Sequence, residues 1–153
     1  MPRAFTDLVL RDVPVLRRDD TVRSGVVRLL ESGLPALPVV DERGRFAGVF
    51  GEREFLQALF PGYVGQLQSA AFLTKSVESL LEKRAGCAME TVGQHMNDEH
   101  VEVGEDFADL QLAEVFLHHR VLVVPVVSDG RVQGMLTRRD FFRAITQRFV
   151  GQA

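Results

Sequence analysis

Four residues in the C-terminal third have the types and the spacing that a small anionic ligand would need. Thr137 and Asp140 are three positions apart, with Arg138 and Arg139 between them. They follow an apolar segment and begin a predicted helix, whose first turn has free backbone N–H groups and a partial positive charge that suit a phosphate. The Asp140 carboxylate can accept hydrogen bonds from both hydroxyls of a ribose, and either guanidinium can contact phosphate oxygens.

The same residues also have a purely structural interpretation. Thr137 can cap the helix by accepting a backbone N–H from the first turn, with Asp140 as the third helical residue of a capping box. Arg138 and Arg139 would then be solvated residues of that turn. The two interpretations are compatible, because a capped helix still has an N-terminus that attracts anions.

The segment before these residues is the second copy of a doubled sequence. Residues 37–55 return as residues 124–141, with Pro38 matched by Pro125. The spacing between matched residues drifts by single positions inside polar turns and is constant inside apolar segments, which a chance match would not do. One correspondence fails, since the first copy has Gly51 and Glu54 where the second has threonine and aspartate.

Both copies predict the element order strand, helix, strand, strand, helix, from apolar periodicity, turn residues and caps. The predicted elements of the first copy are a strand at 13–16, a helix from Asp20 or Thr21 to Gly33, strands at 36–40 and 45–50, and a helix from 52 to just before 61. Those of the second copy are a strand at 101–103, a helix at 110–119, strands at 121–127 and 131–136, and a helix at 138–149 with Phe141, Phe142, Ile145 and Phe149 on its apolar side.

Residues 61–91 belong to neither copy, so we divide the chain into unit 1 (1–60), a helical insert (61–91) and unit 2 (92–153). The insert predicts a helix at 74–85 with an apolar stripe of Val77, Leu80 and Leu81. This helix either covers the core or provides a contact surface for a second subunit or another protein. Each unit is small enough to be only marginally stable alone, so the two should pack on each other.

The doubled segment carries a resemblance to a known family. An apolar-Pro-Val-Val phrase, a polar turn with glycine, and a glycine-apolar-apolar phrase before a helix occur twice, and residues 92–103 resemble the usual beginning of the same unit. Outside the insert, the chain resembles a tandem pair of cystathionine-β-synthase (CBS) domains, a Bateman module. The resemblance implies an α+β fold of two β-α-β-β-α units, packed sheet to sheet about a pseudo-two-fold axis, with two clefts at the interface.

The resemblance also implies a ligand and its contacts. Many family members bind AMP, ADP, ATP or S-adenosylmethionine in a cleft, as regulatory rather than catalytic modules, and commonly form homodimers. The matching threonine and aspartate, here Thr137 and Asp140, hold phosphate and ribose. Residues before the strand proline line the adenine, and the unit's first strand flanks it, although these apolar residues would serve equally as core. The corresponding residues are Val121, Leu122, Val123, Pro125, His100 and Val101.

The first copy departs from this pattern, so we expect its site to be weak or empty. Gly51 has no hydroxyl, and Glu54 places its carboxylate one methylene further out than an aspartate would. Pro35 lacks a backbone N–H in the stretch that would line the base. Ala36 and Arg53 complete this weak second site. The second copy therefore provides the competent site.

Composition and charge exclude several other classes. The net charge is −3 over 153 residues, which argues against nucleic acid or an anionic membrane surface as partner. The longest apolar run, 121–127, is too short to span a bilayer, and we expect a cytoplasmic protein without a signal peptide. The single cysteine, Cys87, excludes an internal disulfide, and the histidines His95, His100, His118 and His119 have no metal or catalytic spacing. We therefore expect no metal site and no enzyme activity.

The sequence thus predicts a regulatory module that binds an adenosine-containing ligand in the cleft of the second copy and requires no cofactor. A nucleoside monophosphate of about 23 non-hydrogen atoms, at about 0.3 kcal/mol per atom, gives a dissociation constant near 10 μM. The alternative is a purely structural CBS pair that holds chains together without a ligand. A homodimer and an effector protein on another chain are the expected partners.

Overall fold

The structure is a computed structural model that describes residues 8–60 and 76–151. The first part of the insert and residues 74 and 75 of its predicted helix therefore lie outside the described residues. In chain order the elements are β1 (Leu16–Arg17), α1 (Val22–Ser32), β2 (Ala36–Val40), β3 (Phe46–Gly51), α2 (Glu52–Leu59), α3 (Val77–Lys83), a 3₁₀ helix (Ala85–Met89), α4 (Val92–His95), α5 (Asp109–His118), β4 (Val123–Ser128), β5 (Arg131–Thr137) and α6 (Arg138–Gly151).

Each repeat folds into an antiparallel hairpin with the same register. β2 pairs with β3 so that Pro38 lies opposite Val49, and β4 pairs with β5 so that Pro125 lies opposite Met135. Both hairpins have a bulge at the matching place, after Val39 and after Val126. In the first unit β1 adds to β2 in parallel. The repeat in the sequence is therefore a repeat in three dimensions, down to the irregularities of the strands.

The two units exchange short extended segments. Arg11, near the start of unit 1, forms two backbone hydrogen bonds of 2.9 Å with Met135 in the hairpin of unit 2. Asn97, at the start of unit 2, forms two of 2.8 and 3.0 Å with Val49 in the hairpin of unit 1. Gly48 and Gly134 lie beneath these segments, and a Cβ on either would come within 3 Å of the crossing backbone oxygen. These glycines are required by the close approach of the chains.

Three groups of buried apolar residues hold the molecule together. One fills unit 1 around Leu37 and Phe50, and one fills unit 2 around Leu112 and Leu136. The third lies between the hairpins and consists of Ala36, Val49, Val123 and Met135, with Val13 and Phe46 packed against it. The two sheets therefore pack on each other, and the predicted α+β class of two packed units is confirmed.

Two of the three strands predicted for the second copy are shorter than predicted, whereas β5 extends one residue further, to Thr137. β4 begins at Val123, because Arg120 has a left-handed backbone (φ 54°) and Val121 and Leu122 precede the strand without regular pairing. The predicted strand at 101–103 is reduced to a single bridge between Val103 and Val126. In the first copy, β1 begins at Leu16 rather than at residue 13.

The apolar side predicted for the last helix is only partly covered by the core. Phe141 is buried against the unit 2 core, whereas Phe142 and Phe149 are 63% and 79% exposed. Ile145 is also exposed, and Ala144 provides the second core contact in its place. α6 therefore presents an apolar face to solvent.

The insert is anchored to unit 1. Arg84 donates hydrogen bonds to the Ala58 carbonyl oxygen at 2.9 and 3.3 Å, and Cys87 is buried. Of the predicted stripe on α3, Leu80 is buried while Val77 and Leu81 are exposed. Residues 76–91 of the insert therefore cover part of unit 1 with one side and leave apolar residues on the other. None of the helices within 8–60 and 76–151 has the length and apolar character needed to cross a membrane.

Candidate functional site

The candidate site is the junction between β5 and α6. β5 ends at Thr137, whose Oγ1 accepts a hydrogen bond from the Asp140 backbone N–H at 3.0 Å. Arg138 N–H donates to the Leu122 carbonyl oxygen at 2.9 Å, which fixes the segment before β4 against the start of the helix. Thr137 and Asp140 are each only 6% exposed. Thr137 therefore caps α6, and the helix start holds a carboxylate in a nearly buried position.

A residue from the other end of the chain reaches this carboxylate. Arg11 Nε donates to Asp140 Oδ2 at 2.7 Å, and Arg11 Nη2 donates to Asp140 Oδ1 at 3.1 Å. This two-point pair holds the pKa of Asp140 below its usual value, with a smaller contribution from the Thr137 hydroxyl, and raises the pKa of Arg11. The Arg11 side chain is 44% exposed, so it covers Asp140 from the solvent side.

A cavity of about 580 Å³ opens at this junction. This volume lies within the range of about 300–1,000 Å³ that is typical of small-molecule sites. Three guanidinium groups and one carboxylate line it, so its wall has an excess of positive charge. The predicted residues in the wall are Thr137, Arg138, Arg139, Asp140 and Leu122, and the residues not predicted for this site are Arg11, Ser32, Gly33, Leu34, Pro35 and Phe142.

A second cavity, of about 420 Å³, lies on the other side of Pro35 and Leu122, which line both. It combines residues predicted for the two different sites. From the second copy it takes His100, Val101, Val121 and Val123, and from the first copy Ala36, Arg53 and Glu54. Among the residues described, Pro125 and Gly51 line neither cavity: Pro125 is buried within β4, and Gly51 ends β3.

Comparisons with known proteins agree with the repeat. The family model for the CBS domain matches residues 5–61 and 92–147. The chain belongs to the CBS-domain family. It contains two such domains in tandem, as the resemblance implied.

Three relatives of this CBS pair differ in length and context. This chain is 26% identical over 145 residues to the chloroplastic CBS domain-containing protein CBSX1 of Arabidopsis thaliana. It is 24% identical over 138 residues to inosine-5′-monophosphate dehydrogenase of Methanocaldococcus jannaschii. The matches cover 89% and 90% of this chain but only 60% and 22% of those proteins. The structure of CBSX2 in complex with AMP shares the fold with a TM-score of 0.68 at 22% identity, covering 95% of this chain and 96% of that chain.

The first CBS domain closes the position that corresponds to Thr137. A Cβ on Gly51 would lie 2.5 Å from the Ala36 Cβ and closer still to the Pro35 carbonyl oxygen. That oxygen accepts the Glu52 N–H at 2.9 Å, the counterpart of the bond between Arg138 and Leu122. Glu54 is buried, and its Oε1 accepts the Gly51 N–H at 2.9 Å. The Glu54 carboxylate therefore bonds to the start of its own helix, and backbone atoms occupy the space of a threonine side chain.

His100 lies in the second cavity with its ring partly buried. Burial is the main reason that the pKa of His100 is lowered, although the Val101 carbonyl and the charge of Glu54 act in the opposite direction. Its Nδ1 contacts the Val101 carbonyl oxygen at 2.8 Å, so Nδ1 carries the proton. The CBS pair thus has an unlike pair of cavities, one cationic with a buried aspartate and one with a partly buried histidine.

Among residues 8–60 and 76–151, no three histidine, cysteine, aspartate or glutamate side chains are grouped so that they could hold a metal ion.

Proposed function

We propose that this CBS pair is a regulatory module that binds an adenosine-containing nucleotide in the cavity between Arg11 and Phe142, without catalysing a reaction. The observation that carries the proposal is the Asp140 carboxylate, which is 6% exposed at a helix N-terminus in a wall with three guanidinium groups. A buried carboxylate beside an anion-attracting helix start suits a ligand with both hydroxyls and a phosphate. The complex of the relative CBSX2 with AMP supports the choice of ligand class.

Each part of a nucleotide would have a matching surface in this cavity. The ribose hydroxyls would donate to Asp140, and the phosphate would lie at the positive N-terminal end of α6 and accept from the guanidinium of Arg138 or Arg139. The base would lie against the apolar side chains of Leu122 and Phe142. The excess of positive charge favours AMP, ADP or ATP over S-adenosylmethionine, whose sulfonium group is cationic.

A thermal-shift panel of AMP, ADP, ATP, NAD and S-adenosylmethionine tests this assignment. A ligand at 100 times its dissociation constant, about 1 mM for a constant near 10 μM, should raise the free energy of unfolding by about 2.7 kcal/mol. At about 2–4 °C per kcal/mol this corresponds to a shift of roughly 5–10 °C. Absence of a shift with all five ligands would reject the sensor. Chemical conversion of a ligand during incubation, detected by product analysis, would reject the non-catalytic role.

A second role, in holding chains together, has its own support. Phe142, Ile145, Phe149 and Val150 of α6 are between 39% and 79% exposed and form an apolar surface that monomeric proteins rarely leave open. We propose that this α6 face joins two copies in a homodimer. Sedimentation of wild type and Phe149→Ser tests it: at micromolar concentration the wild type should be dimeric and the variant should be a folded monomer. A wild-type monomer would reject the dimer.

If the chain forms this dimer and none of the five ligands binds, the purely structural alternative replaces the sensor. The effector protein on another chain and the cytoplasmic location stay predictions.

A further inference from the structure

The Arg11 guanidinium is already bonded to the Asp140 carboxylate, which the proposed ligand needs for its ribose. Both oxygens of the Asp140 carboxylate accept hydrogen bonds from its guanidinium, at 2.7 and 3.1 Å. Each oxygen has a second lone pair, but the carboxylate is only 6% exposed beside the guanidinium, so a ribose that donates to both oxygens needs Arg11 to move aside. The displaced guanidinium would lose a charge-assisted partner, which makes displacement costly unless a new anion replaces the carboxylate.

The Arg11 side chain can leave without moving the backbone. Its N–H and carbonyl remain bonded to Met135 at 2.9 Å, so the exchanged segment stays in place. The side chain is 44% exposed and lines the same cavity as Arg138 and Arg139. A rotation of its side-chain torsions is therefore enough to turn the guanidinium from Asp140 towards a ligand in the cavity.

We infer that Arg11 is a specificity-determining residue. A nucleotide whose phosphate pairs with the Arg11 guanidinium can displace it from Asp140, whereas an unphosphorylated nucleoside has no group that replaces the carboxylate. This inference rests on the proposed nucleotide site. With AMP, the Arg11 guanidinium pairs with the phosphate instead of the Asp140 carboxylate, so the ribose can donate to Asp140 with little net loss of binding free energy. With adenosine, the base and ribose are the same but nothing replaces the carboxylate. Arg11 therefore makes the hydrogen bonds between the ribose and Asp140 depend on the presence of a phosphate in the ligand.

The exchange predicts opposite effects on the two ligands when the guanidinium is removed. In Arg11→Met, Asp140 is free, so adenosine should bind more tightly than to wild type. AMP loses a phosphate contact and should bind no more tightly, or more weakly. A hydrogen bond to a charged group corresponds to about tenfold or more in affinity. The ratio of adenosine to AMP dissociation constants should therefore fall by about tenfold or more.

Calorimetric titration of AMP and adenosine into wild type, Arg11→Met, Arg11→Lys and Arg43→Met tests this exchange. Arg43→Met is the matched control, because it removes the same charge from an exposed turn outside the cavity. The control should keep the wild-type ratio, and Arg11→Lys, which keeps the charge but loses the two-point grip, should give an intermediate ratio. This second variant retains a cation beside Asp140 and so provides a result even if the methionine variant does not fold.

An unchanged ratio in the Arg11 variants, or equal weakening of both ligands, would overturn the role of Arg11 while leaving the nucleotide site intact. Failure of AMP to bind the wild type would overturn the proposed site and this inference together.

Discussion

We expect that no larger side chain can replace Gly51 in the first CBS domain without loss of stability, because there is no space for a Cβ at this position. A Cβ there would lie 2.5 Å from the Ala36 Cβ, 2.7 Å from the Ala36 Cα, and against the Pro35 carbonyl oxygen. Two of these three atoms belong to backbone, so a rotamer change cannot relieve the contact. Overpacking of this kind costs about 1–3 kcal/mol. Displacing Pro35 also weakens its 2.9 Å hydrogen bond from Glu52 N–H, at about 1 kcal/mol.

Gly51→Ala should therefore lower the free energy of unfolding by about 2–4 kcal/mol. At about 2–4 °C per kcal/mol the melting temperature should fall by roughly 4–16 °C. Gly86→Ala adds the same methyl group at a glycine with no atom within 4 Å of the new Cβ, and should leave the melting temperature nearly unchanged. Urea and thermal unfolding of the two variants measure the difference. Equal stability of Gly51→Ala and wild type would refute the steric argument.

The double variant Gly51→Thr with Glu54→Asp extends this test to function. It restores the sequence pattern of the second copy in the first, yet it should lose stability and gain no second equivalent of bound AMP in a calorimetric titration. A gain of a second binding equivalent would show that the motif alone, and not the space around it, decides which copy binds.

Two ionisable groups and one further glycine give additional expectations. Arg11 lowers the pKa of Asp140, so the ion pair stabilises the folded state at pH values above the ordinary carboxyl pKa of 3.8. This stabilisation is lost as the pH falls through the folded-state pKa of Asp140. The difference in unfolding free energy between wild type and Asp140→Asn, measured in urea, should therefore shrink in that pH range. Burial lowers the pKa of His100, so stability should fall as the pH drops below 6.5, where only the unfolded chain binds the proton, and His100→Gln should flatten this slope. Gly48→Ala, with its Cβ 2.5 Å from the Asn97 oxygen, should lower the unfolding free energy by about 1–3 kcal/mol in thermal melts.

Local patterns in the sequence were sufficient to predict the hairpins. The apolar run ending in Pro-Val-Val, the glycine turn and the return strand are short-range signals, and the doubled phrase shows that two such hairpins share one architecture. The threonine cap of α6 was predictable for the same reason, since a capping residue and its partner are three positions apart. Elements whose geometry is decided within about ten residues were therefore predicted well.

Contacts between distant segments were not predictable in the same way. Arg11 and Asp140 are 129 positions apart, and no local pattern marks Arg11 as the partner of the carboxylate. Val121 and Val123 line a different cavity from Thr137, because Pro35 of one unit and Leu122 of the other lie between the two cavities. One usable signal was present, because a glycine inside a strand, as at 48 and 134, often marks a close approach of another backbone.

The exposed side of α6 illustrates a further limit. Helical periodicity places Phe141, Phe142, Ile145 and Phe149 on one broad apolar sector, but it does not say how much of that sector the chain's own core can cover. The structure covers Phe141 and Ala144 and leaves Phe142 and Phe149 in solvent. The excess of apolar surface is consistent with the proposed contact to a second copy, and periodicity alone cannot separate the two uses.

Calorimetric titration of AMP into wild type, Asp140→Asn and Glu54→Gln tests the central claim most directly. The two variants make the same chemical change at corresponding positions of the two CBS domains, and both side chains are nearly buried, at 6% and 8% exposure. We expect the wild type to bind one AMP per chain with a dissociation constant near 10 μM, Asp140→Asn to bind about tenfold or more weakly, and Glu54→Gln to match the wild type. No heat from the wild type, or unchanged affinity in Asp140→Asn, would contradict the account.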